Sequence, residues 1–184
     1  MITNKVVLGF LLVFTLFAFR DAPHRSAHRR WFHRDHLEGE VYILVVKSSY
    51  ELQVYDKDGW YATYPAVFGN KSLEDKMMQG DRKTPEGTYH IISKRPHEKW
   101  DKIMDLDYPT PPDLAKFNER KARGLIPKTA RIGDGIAIHG TWPHDEVAVD
   151  AYQNWTNGCV SLKCEDMDEL YKMAPVGTKV IIQH

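Results

Sequence analysis

Seven consecutive residues, Val41 to Lys47 (V-Y-I-L-V-V-K), place apolar side chains on both faces of an extended chain. A strand of that kind needs cover on two sides, so the rest of the chain must supply a sheet with layers against it rather than a helical bundle. Leu52 to Tyr55 follows, then the turn signal Asp56-Lys57-Asp58-Gly59 and the aromatic, β-forming segment Trp60 to Val67. These predict three strands joined by short hairpins. Further strands are predicted at Gly87 to Ser93, Gly135 to His139 and Lys179 to Ile182.

Two helices are expected. Pro111-Pro112-Asp113 opens one that stops at Gly124, with Asp113 as its N-cap. Glu165 to Met173 forms the other and sets Met167, Leu170 and Tyr171 on one face. Many short strands with few helices predict a mainly β, single domain over residues 40–184, a length sufficient for one core.

The N-terminus differs from this body. Val6 to Phe19 is a run without charge, the length of a signal-peptide core rather than of a spanning helix of roughly 20 residues. Residues 1–19 are therefore expected to act as a signal peptide or signal anchor, which sends the body to the periplasm or cell envelope. Residues 20–39, with Arg20, Arg25, Arg29 and Arg30 among His24, His28, His33 and His36, predict a polar linker able to meet anionic lipid headgroups.

The formal net charge is zero, with 25 basic and 25 acidic residues. Residues 1–36 hold six of the basic and two of the acidic ones, so the body carries a surplus of acid. A body without a basic stripe excludes nucleic acid as its main partner.

Chemistry gathers near the C-terminus. I-A-I-H-G-T, residues 136–141, is followed by T-N-G-C-V-S-L, residues 156–162. A thiol needs a base to become a nucleophile, and His139 at a predicted strand end could serve Cys159. Gly158 lets substrate approach the backbone, and successive amides there could face an oxyanion. Cys159 and Cys164 are the chain's two cysteines. Either they pair once or one of them reacts. Neither their spacing nor that of His139 and His144 makes a zinc site.

His139-Gly140, Thr156-x-Gly158-Cys159, the segment Gly80-Asp81-Arg82-Lys83-Thr84-Pro85-Glu86-Gly87-Thr88-Tyr89 and the opening hairpin of Val41 to Tyr55 together resemble the L,D-transpeptidase (YkuD) catalytic domain of bacterial cell-wall enzymes. Asn157 and Ser161 stand where most of that family has His and then Arg or Asn, and the T-N-G-C-V-S-L form is closest to the YafK-like branch.

The resemblance implies a β-sandwich-like domain with Cys159 as nucleophile and His139 as general base, oriented by a backbone carbonyl. Thr156, Asn157, Gly158, Gly140 and Ser161 would surround the oxyanion and substrate. No metal or other cofactor is implied. The substrate would be a peptidoglycan stem peptide, joined to an acceptor amine by transpeptidation. The alternatives are an L,D-carboxypeptidase or hydrolase, and a non-catalytic wall-binding module that kept the fold. Pro96 to Pro127, between two motif strands, is read as an insertion with a helical lid.

Overall fold

The computed structural model describes residues 31–32, 36–142 and 146–184. The apolar run of residues 6–19, His24, His28, His33 and His144 lie outside the described residues. Among the described residues no helix is long and apolar enough to cross a membrane, and no group of three metal-binding side chains comes together.

Strands β1 (Trp31–Phe32), β2 (Tyr42–Val46), β3 (Glu51–Asp56), β4 (Gly59–Pro65), β5 (Gly87–His97), β6 (Asp101–Leu106), β7 (Ala137–His139), β8 (Val160–Ser161) and β9 (Lys179–Gln183) form one sheet ordered β1-β4-β3-β2-β9-β5-β6-β7-β8. Helices α1 (Pro111–Ala122), α2 (Val147–Asp150) and α3 (Cys164–Met173) complete the domain. The mainly β architecture is as the sequence predicts.

Strand β2 lies between β3, antiparallel, and β9, parallel. Ile43 and Val45 are fully buried, whereas Tyr42, Leu44 and Val46 on the other face are half-buried. The expectation of equal burial on both faces is thus corrected: partners flank β2 along both edges, but only one face meets the main core. Lys47, at the end of that run, is buried completely.

Two departures from the predicted elements shape the site. Strand β5 runs four residues beyond Ser93, past Pro96, and pairs with β6, a strand that the sequence reading missed. A bulge between Ile91 and Ser93 lets β5 leave β9 and join β6, so one long strand serves both halves of the sheet. The segment read as a single insertion therefore begins with a sheet hairpin. At the other end, β1 pairs with β4, Leu37 packs against the core and the Glu38 amide donates to Asp56 Oδ2 at 2.8 Å. The folded body thus begins within the segment read as linker.

The sheet is tied back on itself. Beyond β4, Val67 and Ser161 exchange two backbone hydrogen bonds of 2.9 and 2.8 Å. One core cluster draws on both halves, from Ile43, Leu52 and Tyr64 to Met104, Ile138 and Leu162. Helix α3 lies against β6 with Met167 and Leu170 buried, as their spacing predicts, and Lys94 of β5 donates to the carbonyls of Tyr171 and Ala174 at its C-terminal end.

Helix α1 starts one turn earlier relative to its cap than predicted. Thr110 is the N-cap and Asp113 sits at the third helical position, where its carboxylate accepts from the Thr110 amide at 2.9 Å and hydroxyl at 2.7 Å. The same carboxylate accepts from the buried Tyr89 hydroxyl at 3.1 Å. Gly124, at φ 71°, ends the helix as expected.

Candidate active site

Strands β7 and β8 run parallel, with Ile138 opposite Val160 and His139 opposite Ser161. Cys159 immediately precedes β8, so this pairing carries its segment alongside β7, which ends on His139. The sheet thus brings the segments holding the two predicted site residues, His139 and Cys159, next to each other.

His139 is 2% exposed. Its Nδ1 lies 2.7 Å from the Gly140 carbonyl oxygen. A carbonyl only accepts, so Nδ1 carries the proton and Nε2 keeps the lone pair that a base needs. Gly140 donates in turn to the carbonyls of Trp100 at 3.1 Å and Lys102 at 3.2 Å. A Cβ at Gly140 would meet the Trp100 carbonyl at 2.8 Å, so glycine is required for this close approach. Ser161, fully buried, turns its hydroxyl toward the Gly140 carbonyl at 3.5 Å. The hydroxyl expected to contact substrate is thus turned to this carbonyl.

The imidazole is enclosed by aromatic rings. Trp100 stacks on it with centroids 4.7 Å apart, Trp155 meets it edge-on at 5.5 Å, and Trp142 lies 4.1 Å from Trp155. His97 stacks on the far side of Trp100 at 4.4 Å. Burial pushes His139 down to about 4, against the pull of the Gly140 hydrogen bond and helped by His97. His139 is therefore neutral at ordinary pH. Trp100 was legible only as part of the Pro96 to Pro127 insertion, and the two tryptophans inside the His139–Cys159 interval, Trp142 and Trp155, were the available signal for the enclosure.

Cys159 is half-buried, and its Sγ lies 3.5 Å from the Gly135 carbonyl. Burial pushes the thiol up to about 11, opposed by the Ala137 amide and Lys76 and aided by Asp105. Thiol and imidazole are both uncharged in the resting site. Cys164 is also a free thiol, held above its ordinary range by burial and by Asp101, Glu146 and Asp168. Cys164 opens α3, whose N-terminal dipole would favour a thiolate, but burial and those nearby acids outweigh the helix end. Its Sγ contacts the Thr141 carbonyl at 3.5 Å, away from the cleft that Cys159 lines.

The loop before Cys159 is braced from within. Thr156 Oγ1 donates to the Cys159 carbonyl at 2.7 Å and accepts from the Gly158 amide at 3.1 Å. The Gly158 amide is thereby occupied, whereas those of Asn157 and Cys159 donate to no protein acceptor among the described residues. Gly158 has φ 136°, and the loop is stitched to the chain beyond β4 by Thr156 N to Phe68 O at 3.1 Å and Asn70 N to Thr156 O at 2.9 Å.

The Gly80–Tyr89 segment forms one wall. Asp81 accepts from Lys76 Nζ and from the amides of Met77, Met78 and Lys83 at 2.6 to 3.1 Å. Thr84 Oγ1 accepts from Gly69 N at 3.0 Å, and Lys47 Nζ bonds to the Thr84 carbonyl at 3.1 Å and to Glu86 at 2.8 Å. The opposite wall, Gly133 to Ile136, is locked to it by Gln79 N to Arg131 O at 2.8 Å. Between them opens a cleft of about 450 Å³ that ends on Asn157 and Cys159.

Helix α1 buttresses the first wall rather than covering the cleft. Arg120 bonds to the Lys76 carbonyl and to Asp75, both at 2.6 Å, and Lys116 to the Glu86 carbonyl at 2.6 Å. A helix fastened at these points with Phe117 buried is a brace, so the reading of α1 as a lid gives way.

A family model described as the L,D-transpeptidase catalytic domain matches residues 40–182. The fold is similar to that of Bd1075 from Bdellovibrio bacteriovorus (TM-score 0.55, 24% identity, covering 79% of this chain and 48% of that one). It is also similar to the helical cell shape determining protein Pgp2 from Campylobacter jejuni (0.58, 22%, 84% and 50%). An L,D-transpeptidase from Mycobacterium tuberculosis H37Rv shares it as well (0.52, 18%, 78% and 57%). The chain spans about half the length of these solved structures. A search of curated proteins found no match.

Proposed function

The chain belongs to the L,D-transpeptidase catalytic-domain family, and from that premise we propose that it is a cysteine acyltransferase acting on peptidoglycan stem peptides in the cell envelope. The observation that carries this reading is the Gly140 carbonyl at His139 Nδ1, which leaves Nε2 unprotonated on the strand beside the Cys159 segment.

Cys159 Sγ attacks the carbonyl between the L-centre of the diamino acid at stem position three and the D-Ala at position four. A carbon–sulfur bond forms and the thiol proton passes to His139 Nε2. The amides of Cys159 and Asn157 face the oxyanion, since that of Gly158 is already taken by Thr156. Collapse breaks the carbon–nitrogen bond, and His139 returns its proton to the departing D-Ala amine. An acceptor amine then attacks the thioester, loses a proton to His139 and releases the thiol; water in its place gives the carboxypeptidase outcome.

A neutral pair suits this sequence, because the proton moves only when the carbonyl arrives and the charge that develops is held by fixed dipoles. The buried, oriented imidazole beside the Cys159 segment also favours an enzyme over a wall-binding module. Cys159→Ala is expected to abolish D-Ala release from tetrapeptide and the covalent carbapenem adduct seen by mass spectrometry. Release that survives this change overturns the mechanism.

A further inference from the structure

We infer that Arg82 and Asp134, on opposite walls of the cleft that ends at Cys159, together read a zwitterionic α-amino-acid group on the ligand, and so determine its specificity. The inference rests on the reading of Cys159 as the nucleophile toward stem peptides. Of the cations lining this cleft, Lys76 is neutralised by Asp81 at 2.8 Å. Lys83, next to Arg82 in sequence, is turned away to Glu74 at 2.5 Å. Arg82 and Asp134 remain, both exposed, and neither takes part in an ion pair with the other or with any other described residue.

Arg82 is built into place. It adopts φ 56°, costly for a residue with a Cβ. Its carbonyl lies so close to Gly69 that a Cβ there would meet it at 2.3 Å, and the Asp81 carboxylate fixes the turn on either side through the amides of Met77, Met78 and Lys83. Asp134 is flanked by Gly133 and Gly135, at φ 83° and 72°, in the wall that Gln79 clamps.

A bare carboxylate would meet repulsion from Asp134, and a bare ammonium from Arg82. A group carrying both charges satisfies both walls with charge-assisted hydrogen bonds in a half-enclosed cleft. Two sources offer that chemistry: the side-chain end of a branched diamino acid in the donor stem, and a free amino acid serving as acceptor.

The test is calorimetric titration of the full chain carrying Cys159→Ala, with tetrapeptides that differ only in the presence of the side-chain carboxylate at position three, and with free D-alanine. Preference for the zwitterionic tetrapeptide of about tenfold, collapsing to near parity on adding Arg82→Gln, places the donor side chain there. About tenfold weaker D-alanine binding in the Arg82→Gln protein, without donor preference, places the acceptor there. Asp134→Asn is expected to act in parallel, erasing discrimination against ligands acetylated on the same amine. Both ligand preferences surviving both substitutions in folded protein overturns the inference. A failure of the acyl-enzyme reading would appear separately, as no carbapenem adduct on the parent protein, and leaves these affinity ratios unaffected.

Discussion

A Cβ placed on Gly158 would lie 2.8 Å from the carbonyl oxygen of Lys83 and 3.1 Å from Ile136 Cδ1. The Cys159 loop and the Gly80–Tyr89 wall therefore meet backbone to backbone, at a residue whose φ of 136° is already disfavoured for side chains. Gly158→Ala is expected to cost about 2 kcal/mol of stability and to lower D-Ala release more than tenfold, since Cys159 must shift with the loop. Chemical denaturation and a turnover assay check this; wild-type values for both would show that the loop yields freely.

The Cys159 thiol, pushed up to about 11 by burial, predicts slow alkylation at neutral pH. Iodoacetamide labelling of Cys159, followed by peptide mass spectrometry, is expected to climb roughly tenfold per pH unit from pH 7 toward 10. A plateau below pH 8 would mean that an imidazolium partner holds the thiolate in the resting site.

Acid should loosen the fold through His139. Its folded value of about 4 lies below the ordinary 6.5, so between these limits the unfolded chain binds more protons than the native one. Stability from this residue is complete above 6.5 and falls as pH drops to 4, by about 3 kcal/mol. Asp75 and Asp81, held below the ordinary carboxylate value, give way only at lower pH. Melting temperature measured from pH 7 to 4 should decline steeply in the wild type and less in His139→Gln. Parallel curves would assign the loss elsewhere.

Lys47 and Glu86 form an unequal pair, because the ammonium is wholly buried while the carboxylate is 30% exposed. Burial lowers the lysine pKa even with Glu86 beside it. Removing the acid strands a buried charge, whereas removing the base leaves a carboxylate that water can reach. Glu86→Gln is accordingly expected to cost about 3 kcal/mol and Lys47→Met about 1 kcal/mol in urea denaturation. Equal costs would refute the asymmetry.

The elements that patterning revealed are those whose own residues carry an unbroken signal, β9 included although its partners β2 and β5 lie far off in sequence. The β2–β3–β4 hairpins follow from alternation and a turn, and α3 from Met167 and Leu170. The Cys159 and His139 motif was legible because its residues are chemically unusual. Strand β6 was not, since Asp101, Lys102 and Asp105 interrupt its apolar residues and Pro96 in its partner argues against a strand. The aromatic enclosure of His139 was hidden for another reason: Trp100, Trp142 and Trp155 meet only after the β5–β6 hairpin has folded over β7. The structural duty of Thr156 and Ser161 likewise depends on hydrogen bonds that a motif does not disclose.

Strand β9 lies between β2 and β5 although it follows every other element in the chain. The parallel pairing of Ile43 with Val180 closes a loop containing nearly the whole domain, and such a contact forms late because its entropy cost precedes its gain. During synthesis the β2–β3–β4 meander has no central neighbour until the C-terminal residues leave the ribosome.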